Sequence, residues 1–162
     1  MPTELVVTGV KDALAVGLEI VESAKKQLVW LIPPSILSLW ISQGFAEKTI
    51  AFIRNGGVSR GIVQISRANV RDVEICLEGG EDVRHSHDGR GLFFVVGDGW
   101  QSISAINIGI SDFALDTPAT AFWSDNPTYA QYLLDSFEQA WSQAVPAAER
   151  MQELSEQGAE RR

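Results

Sequence analysis

The segment from Gly91 to Gly99 limits the possible folds most. It begins Gly-Leu-Phe-Phe-Val-Val-Gly, and the dipeptide Asp98-Gly99 follows at once. A short apolar run bounded by glycines is typical of a buried strand, and Asp-Gly is a frequent hairpin turn. The segment therefore predicts a strand inside a sheet, followed by a tight turn.

The order of the other elements predicts a mixed sheet flanked by helices. Two strand–helix passes and a third strand come first, and several closely spaced strands and a last helix follow. The predicted strands are Leu5–Thr8, Gln27–Ile32, Val58–Ser66, Asp82–Ser86, Gly91–Val96, Ser102–Ile110 and Ala119–Trp123. The predicted helices are 13–24, a helix capped by Ser35 and bent at Gly44 that runs to Asn55, and 127–144, while Asn69–Leu77 is a short helical or turn segment. The fold class is therefore α/β with a mixed sheet.

The chain is predicted to form one domain. Its 162 residues are 45% hydrophobic, which is enough to bury a substantial core. Pro146 opens a last helical segment, Ala147–Leu154, and the residues after it are polar. We therefore expect a single domain over residues 1–154 and a polar C-terminal tail over 155–162.

Charge and cysteine content restrict the partners and the compartment. A net charge of −8 argues against direct nucleic-acid binding, which needs a positive field. The single cysteine, Cys76, excludes an internal disulfide and fits a cytoplasmic protein. The uncharged run Leu28–Phe45 is interrupted by Pro33-Pro34, so we predict no membrane span. No cofactor is predicted.

Several phrases of the sequence resemble the phospholipase D-like (HKD) superfamily. In order they are "ESAKK", "QLVWLIP", "NGGVSRGIVQIS", "DVRH" and "GLFFVVGDG", and the similarity runs from Lys11 to Arg150. The later stretch "AFWSDNPTYAQYLLDSFEQAWSQAVPAAER" is similar to noncatalytic sensor modules such as the effector-binding region of TrmB-type regulators. The resemblance implies a mixed sheet sandwiched by helices.

The resemblance also implies that the catalytic groups are missing. Active members carry His-x-Lys-x-x-x-x-Asp, and aligning the aspartate with Asp98 puts the lysine on Phe93 and the histidine on Gly91. Glycine and phenylalanine can neither attack a phosphoryl group nor hold its negative charge. We therefore expect a catalytically inactive module with a sensing or regulatory role. A protein-interaction or assembly module is the alternative.

The resemblance implies partners as well. Catalytic halves in this superfamily come in pairs, which favours a homodimer. The chain has no room for a winged-helix domain, so a regulatory role would need a separate DNA-binding protein partner.

The two histidines, His85 and His87, support a third function. An active site displaced onto one of them would make the protein a phosphodiesterase. His-x-His on a strand places both imidazoles on one face, and Asp88 adds an oxygen ligand, but a closed zinc site needs more ligands. A polar hairpin loop explains the segment more simply, so no metal is predicted.

Arginines and one tryptophan complete the candidate ligand site. Six of the 13 basic residues are arginines between Arg54 and Arg90, and Arg67 and Arg84 follow or end strands. Arginine suits a small anionic ligand, although pairing with the interleaved acids explains the cluster more simply. Trp100 follows the predicted turn and could line a pocket or an interface, whereas the other four tryptophans fall on core patterns. The candidate ligand-binding residues are Arg67, Arg84, His85, His87, Asp98 and Trp100.

Overall fold

An eight-stranded mixed sheet forms the centre of the fold. The computed structural model describes residues 2–87, 91–107 and 112–160. The strands are β1 (Glu4–Thr8), β2 (Gln27–Leu31), β3 (Val58–Val63), β4 (Asp82–His85), β5 (Gly91–Gly97), β6 (Gln101–Asn107), β7 (Thr120–Ser124) and β8 (Val145–Pro146). Their order across the sheet is β1-β7-β6-β5-β2-β3-β4-β8. The predicted mixed α/β class is confirmed.

Strand direction follows the order of elements along the chain. β2, β3 and β4 are separated by helices and run parallel to one another. The other pairs are antiparallel, and β5 lies between β2 and β6. The position of β5 agrees with the prediction of a strand inside the sheet, because Phe94, Val95 and Val96 are all buried.

Helices cover both faces of the sheet. They are α1 (Val10–Ser23), α2 (Pro34–Ser42), α3 (Phe45–Arg54), α4 (Val70–Glu78), α5 (Pro127–Gln143) and α6 (Ala147–Glu160). One face, here the helix-rich face, packs Leu28, Trp30, Val63, Val83 and Val95 with α1, α2, α3, α4 and α6. The other, the α5 face, packs Val29, Ile62, Phe94 and Val96 against α5. Alternating side chains along each strand supply both cores.

The predicted bent helix after Pro33 is two helices. Gly44 adopts a left-handed backbone with φ of 97°, which ends α2 and starts α3. Ser35 was predicted to cap this helix, and that prediction is wrong. Pro33 occupies the cap position, and the Ser35 hydroxyl instead accepts a hydrogen bond from the Phe113 N–H.

The C-terminal part departs from the predicted boundaries. β8 was not predicted, because a strand of two residues leaves no periodic pattern. Helix α6 continues to Glu160 instead of ending at Leu154, since residues 155–160 contain no proline to stop it. The predicted strand Ser102–Ile110 is observed up to Asn107, and Ile108 and Ile110 lie outside the described residues. Within the described ranges, every helix is too short or too polar to cross a bilayer.

Candidate functional site

The predicted ligand residues lie at opposite ends of the strands, along the two edges of the sheet that these strand ends form. Asp98 and Trp100 follow β5, whose end pairs with the start of β2. His85 ends β4, level with the end of β3, so it lies with Arg67 and His87 at the other edge. A five-residue strand is about 16 Å long, which separates the two groups. The six residues therefore share no single cavity.

Asp98 organises a turn. Its carboxylate accepts the backbone N–H groups of Lys25, Lys26 and Gln27 at 2.9, 2.8 and 3.0 Å. Burial alone would raise the pKa of Asp98, but these three donors hold it below its usual value. Asp98 and Gly99 both have positive φ, 54° and 74°, as a tight hairpin turn requires. The carboxylate thus ties the α1–β2 connection to the β5–β6 turn.

Trp100 closes the same turn. Its backbone N–H donates to the Gly97 carbonyl at 3.2 Å, and the residue is 43% exposed. The expectation of an exposed indole is met. Trp100 does not share a pocket with His85 or Arg67, because those two residues lie at the opposite ends of the strands.

His85 is a buried, neutral imidazole. It is 2% exposed, and its Nδ1 accepts the Ile65 N–H at 2.8 Å, which places the ring proton on Nε2. No described group accepts a hydrogen bond from that Nε2. The His87 ring lies edge-on with its centre 4.3 Å from that of His85, although β4 ends at His85 and His87 follows the strand. Asp88 lies outside the described residues.

The pKa of His85 is lowered to about 4. Burial is the main cause, because the protonated ring would lose its hydration. The positive charges of His87 and Arg150 lower the pKa further, and the Glu153 carboxylate acts in the opposite direction.

Helix α6 adds two residues that the sequence analysis did not identify. Arg150 donates from Nε to the Ile65 carbonyl at 3.1 Å and pairs with Glu153 at 3.1 Å. One turn further on, the Leu154 carbonyl accepts a hydrogen bond from Arg67 at 3.3 Å. We call Arg67, His85, His87, Arg150 and Glu153 the α6 cluster. The spacing of Arg150 and Glu153 indicates a helical ion pair, but it does not indicate which strand the helix contacts.

The α6 cluster borders a surface groove of about 540 Å³. Arg67, Leu154, Ser155, Gly158 and Ala159 line it. Arg67 is exposed there, and its hydrogen bond to Leu154 uses one of its two terminal nitrogens. Among the predicted ligand residues, Arg67 therefore has a guanidinium that an added molecule could reach.

Arg84 lies on the opposite face from its neighbour His85. Its guanidinium carbon is 4.1 Å from the centre of the Trp141 ring, and it donates to the Trp141 carbonyl at 2.9 Å. Cation–π contact and the hydrogen bond hold it against α5. Arg67 and Arg84 thus do not form one anion site. Arg71 pairs with Glu74 and Glu78, as the alternative of acid pairing predicts.

The positions that the resemblance assigns to the catalytic histidine and lysine carry no ionisable side chain. Gly91 and Phe93 line a cleft of about 20 Å³ whose other residues include Pro33, Pro34, Gln64 and Ser86. Phe93 also packs against Phe113, with ring centres 5.7 Å apart, and lines an apolar cavity of about 50 Å³. Gly91 has φ of 97°, a conformation in which any other side chain is strained.

Solved structures share this fold. Neither a protein-family model nor a curated protein sequence matches the chain. The structure of TrmBL2, an archaeal chromatin protein with a novel mode of DNA binding, superposes with a TM-score of 0.68 at 15% identity. That match covers 88% of this chain and 53% of TrmBL2, so the chain spans about half the length of that protein.

Two further solved structures match over nearly their whole length. Nuc from Salmonella typhimurium, a phospholipase D family member, gives a TM-score of 0.69 at 14% identity, covering 90% of this chain and 98% of Nuc. NucT from Helicobacter pylori gives a TM-score of 0.65 at 9% identity, and the match covers 90% of this chain and 99% of NucT. The element order, the mixed sheet and these superpositions agree. The chain has the phospholipase D-like fold.

Proposed function

We propose that this protein is a non-hydrolytic phospholipase D-like module with a regulatory, sensing role. The observation that carries the proposal is the environment of Gly91 and Phe93. Phosphoryl transfer needs a nucleophile and a cation beside the ester. Gly91 and Phe93 supply neither group, and the cleft that they share measures about 20 Å³.

A displaced active site is poorly supported by the positions of the histidines. β4, which carries His85, is separated from β5 by β2 and β3. Three strand spacings amount to about 14 Å, which separates His85 on β4 from β5, although Ser86, the next residue, lines the cleft with Gly91. His85 is also buried with its Nδ1 engaged, and Asp98 lies at the opposite edge.

A turnover assay tests the proposal. With bis(p-nitrophenyl) phosphate as substrate, we expect no release of nitrophenol above that of a His85→Asn, His87→Ala double variant. Asparagine at position 85 keeps a hydrogen-bond acceptor for the Ile65 N–H, so the double variant should fold. Multiple turnovers by the native protein that disappear in the double variant would contradict the proposal.

The regulatory part of the proposal rests on the fold and on charge. TrmBL2 shows that the same fold occurs in a chromatin protein. A net charge of −8 opposes direct DNA contact by this chain. We therefore propose that it acts through a bound ligand or a protein partner, and not by touching DNA.

The small anionic ligand is proposed at the groove beside Arg67. Arg67 is exposed, whereas Arg84 is held against Trp141. In a thermal-shift screen of phosphate and carboxylate metabolites, we expect a stabilising anion whose effect Arg67→Ala removes. Arg54→Ala, at another exposed arginine, is the matched control and should leave the shift intact. Absence of any anion-dependent shift, or one equal in both variants, would refute this part.

A further inference from the structure

The two outermost strands of the sheet, β8 and β1, differ in how they are protected from pairing with another strand. β8, at one edge, has two residues, one of which is Pro146. Short edge strands and proline prevent pairing with another strand. β1, at the other edge, has five residues with the sequence Glu-Leu-Val-Val-Thr. It contains no lysine, proline or bulge, the usual protective features.

The backbone of β1 has a free hydrogen-bonding side. The Thr3 carbonyl accepts the Asp125 N–H, and the Gly9 N–H donates to Ala119, so odd-numbered residues bond to β7. In an antiparallel pair the alternate residues direct their N–H and C=O groups away. These are Glu4, Val6 and Thr8. Among the described residues, no strand pairs with β1 on that side.

The side chains of this edge are also apolar and exposed. Val6 is 67% exposed and Leu5 is 55% exposed. Leu5 lines a groove of about 380 Å³ on the helix-rich face with Val16 and Trp123. Val6 lies on the other face beside Phe122, its partner on β7. Apolar surface thus flanks the free backbone on both faces of the sheet.

We propose that two copies of this chain associate through antiparallel pairing of their β1 strands about a two-fold axis at Val6. In this register Val6 pairs with Val6 of the second copy, and Glu4 pairs with Thr8. All outward backbone groups then meet each other, because every hydrogen-bonded pair joins even-numbered residues. Leu5 stands opposite Val7, so apolar side chains meet on the helix-rich face. The inference goes beyond the proposed function, which does not depend on it.

Self-complementarity favours a second copy as the occupant. The only charged residue of the strand, Glu4, faces an uncharged Thr8, so the pairing opposes no like charges. A closed two-fold contact also uses the same surface on both copies and stops at two. The strand pair is small, so we expect a reversible dimer with a micromolar dissociation constant.

Sedimentation equilibrium with a matched pair of variants tests the interface. The native protein should approach twice 17.7 kDa at about 100 µM. Val6→Lys places a charge at the pairing centre and should raise the dimer dissociation constant at least tenfold. Val58→Lys is the control, because Val58 is similarly exposed, at 60%, and begins β3 in a distant part of the sheet. Both variants alter solvent-exposed side chains, and unchanged circular dichroism should confirm that they fold.

Disulfide trapping tests the register. Directly opposed residues of a hydrogen-bonded pair have Cα atoms about 5.5 Å apart, within disulfide range. Val6→Cys should therefore cross-link to a dimer under mild oxidation. Val7→Cys should not, because Val7 stands opposite Leu5 of the second copy and the two Val7 residues are only diagonal neighbours. The native Cys76 is buried. A native protein that is monomeric throughout, a dimer unaffected by Val6→Lys, or cross-linking only through Val7→Cys would each overturn the proposal.

Discussion

Replacement of Gly61 by alanine is expected to lower the free energy of unfolding by about 4 kcal/mol. Gly61 lies on β3 directly opposite Trp30 on β2. A Cβ atom at Gly61 would be 2.0 Å from Cε2 and 2.1 Å from Cζ2 of the Trp30 ring. The indole therefore has to move, or the strands have to separate.

Trp30 has little freedom to move. It is fully buried, its Nε1 donates to Glu81 at 2.9 Å, and it packs edge-on against Phe45. Displacing the ring costs overpacking strain of about 1–3 kcal/mol. It also breaks the hydrogen bond from the indole to the buried Glu81 carboxyl, which costs about 1–3 kcal/mol more. The Ser59 hydroxyl remains as a second donor to Glu81, so the total is nearer the middle of these ranges.

Urea denaturation measures the effect. Gly158→Ala is the matched control, because Gly158 lies in α6 and an added Cβ would approach only the flexible end of Arg67. Alanine favours helices over glycine, so this variant should be as stable as the native protein or slightly more stable. A Gly61→Ala variant within about 1 kcal/mol of the native protein would show that the indole accommodates the methyl group.

Acidification from pH 6.5 to pH 4 is expected to remove about 3 kcal/mol of stability through His85. Its pKa is 6.5 when unfolded and about 4 when folded, because burial disfavours the charged ring. Between these values the unfolded state binds the proton more readily, so the free energy of unfolding falls as the pH falls. One pKa unit corresponds to about 1.4 kcal/mol, which gives the magnitude.

Paired variants assign the pH dependence to one residue. His85→Asn keeps an acceptor for the Ile65 N–H but cannot titrate, so its stability should vary much less between pH 6.5 and pH 4. His87→Asn removes an exposed imidazole and should keep most of the native slope. Equal slopes in the native protein and His85→Asn, measured by urea denaturation across this range, would show that His85 is not the titrating group.

Local sequence patterns were sufficient to predict the turn at Asp98 and most of the elements, but not the two-residue strand β8. The apolar run after Gly91 predicted a buried strand, and Asp98-Gly99 has the backbone of a hairpin turn. The helix boundaries were less accurate. Gly44 separates two helices because a left-handed glycine ends a helix, and the pattern around it had indicated a single bent one.

The α6 cluster could not be predicted from local patterns. His85 and Arg150 are 65 positions apart in the sequence, yet Ile65 accepts a hydrogen bond from Arg150 and donates one to His85. That meeting depends on which strand α6 packs against. Periodicity reports which side of a helix is apolar, but it does not report the partner of that side.

The sequence alone determined the succession of β1 to β7 with their intervening helices, apart from the break at Gly44. It also determined the buried character of β5 and the presence of glycine and phenylalanine at positions 91 and 93. These properties follow from each residue and its near neighbours. Only the tertiary structure decided which candidate residues meet. Arg84 and His85 are adjacent in sequence but face opposite cores, because successive side chains of a strand alternate. Asp98 is held at the opposite edge from His85, because β5 runs against β2 while β4 runs in the same direction as β3 and β2.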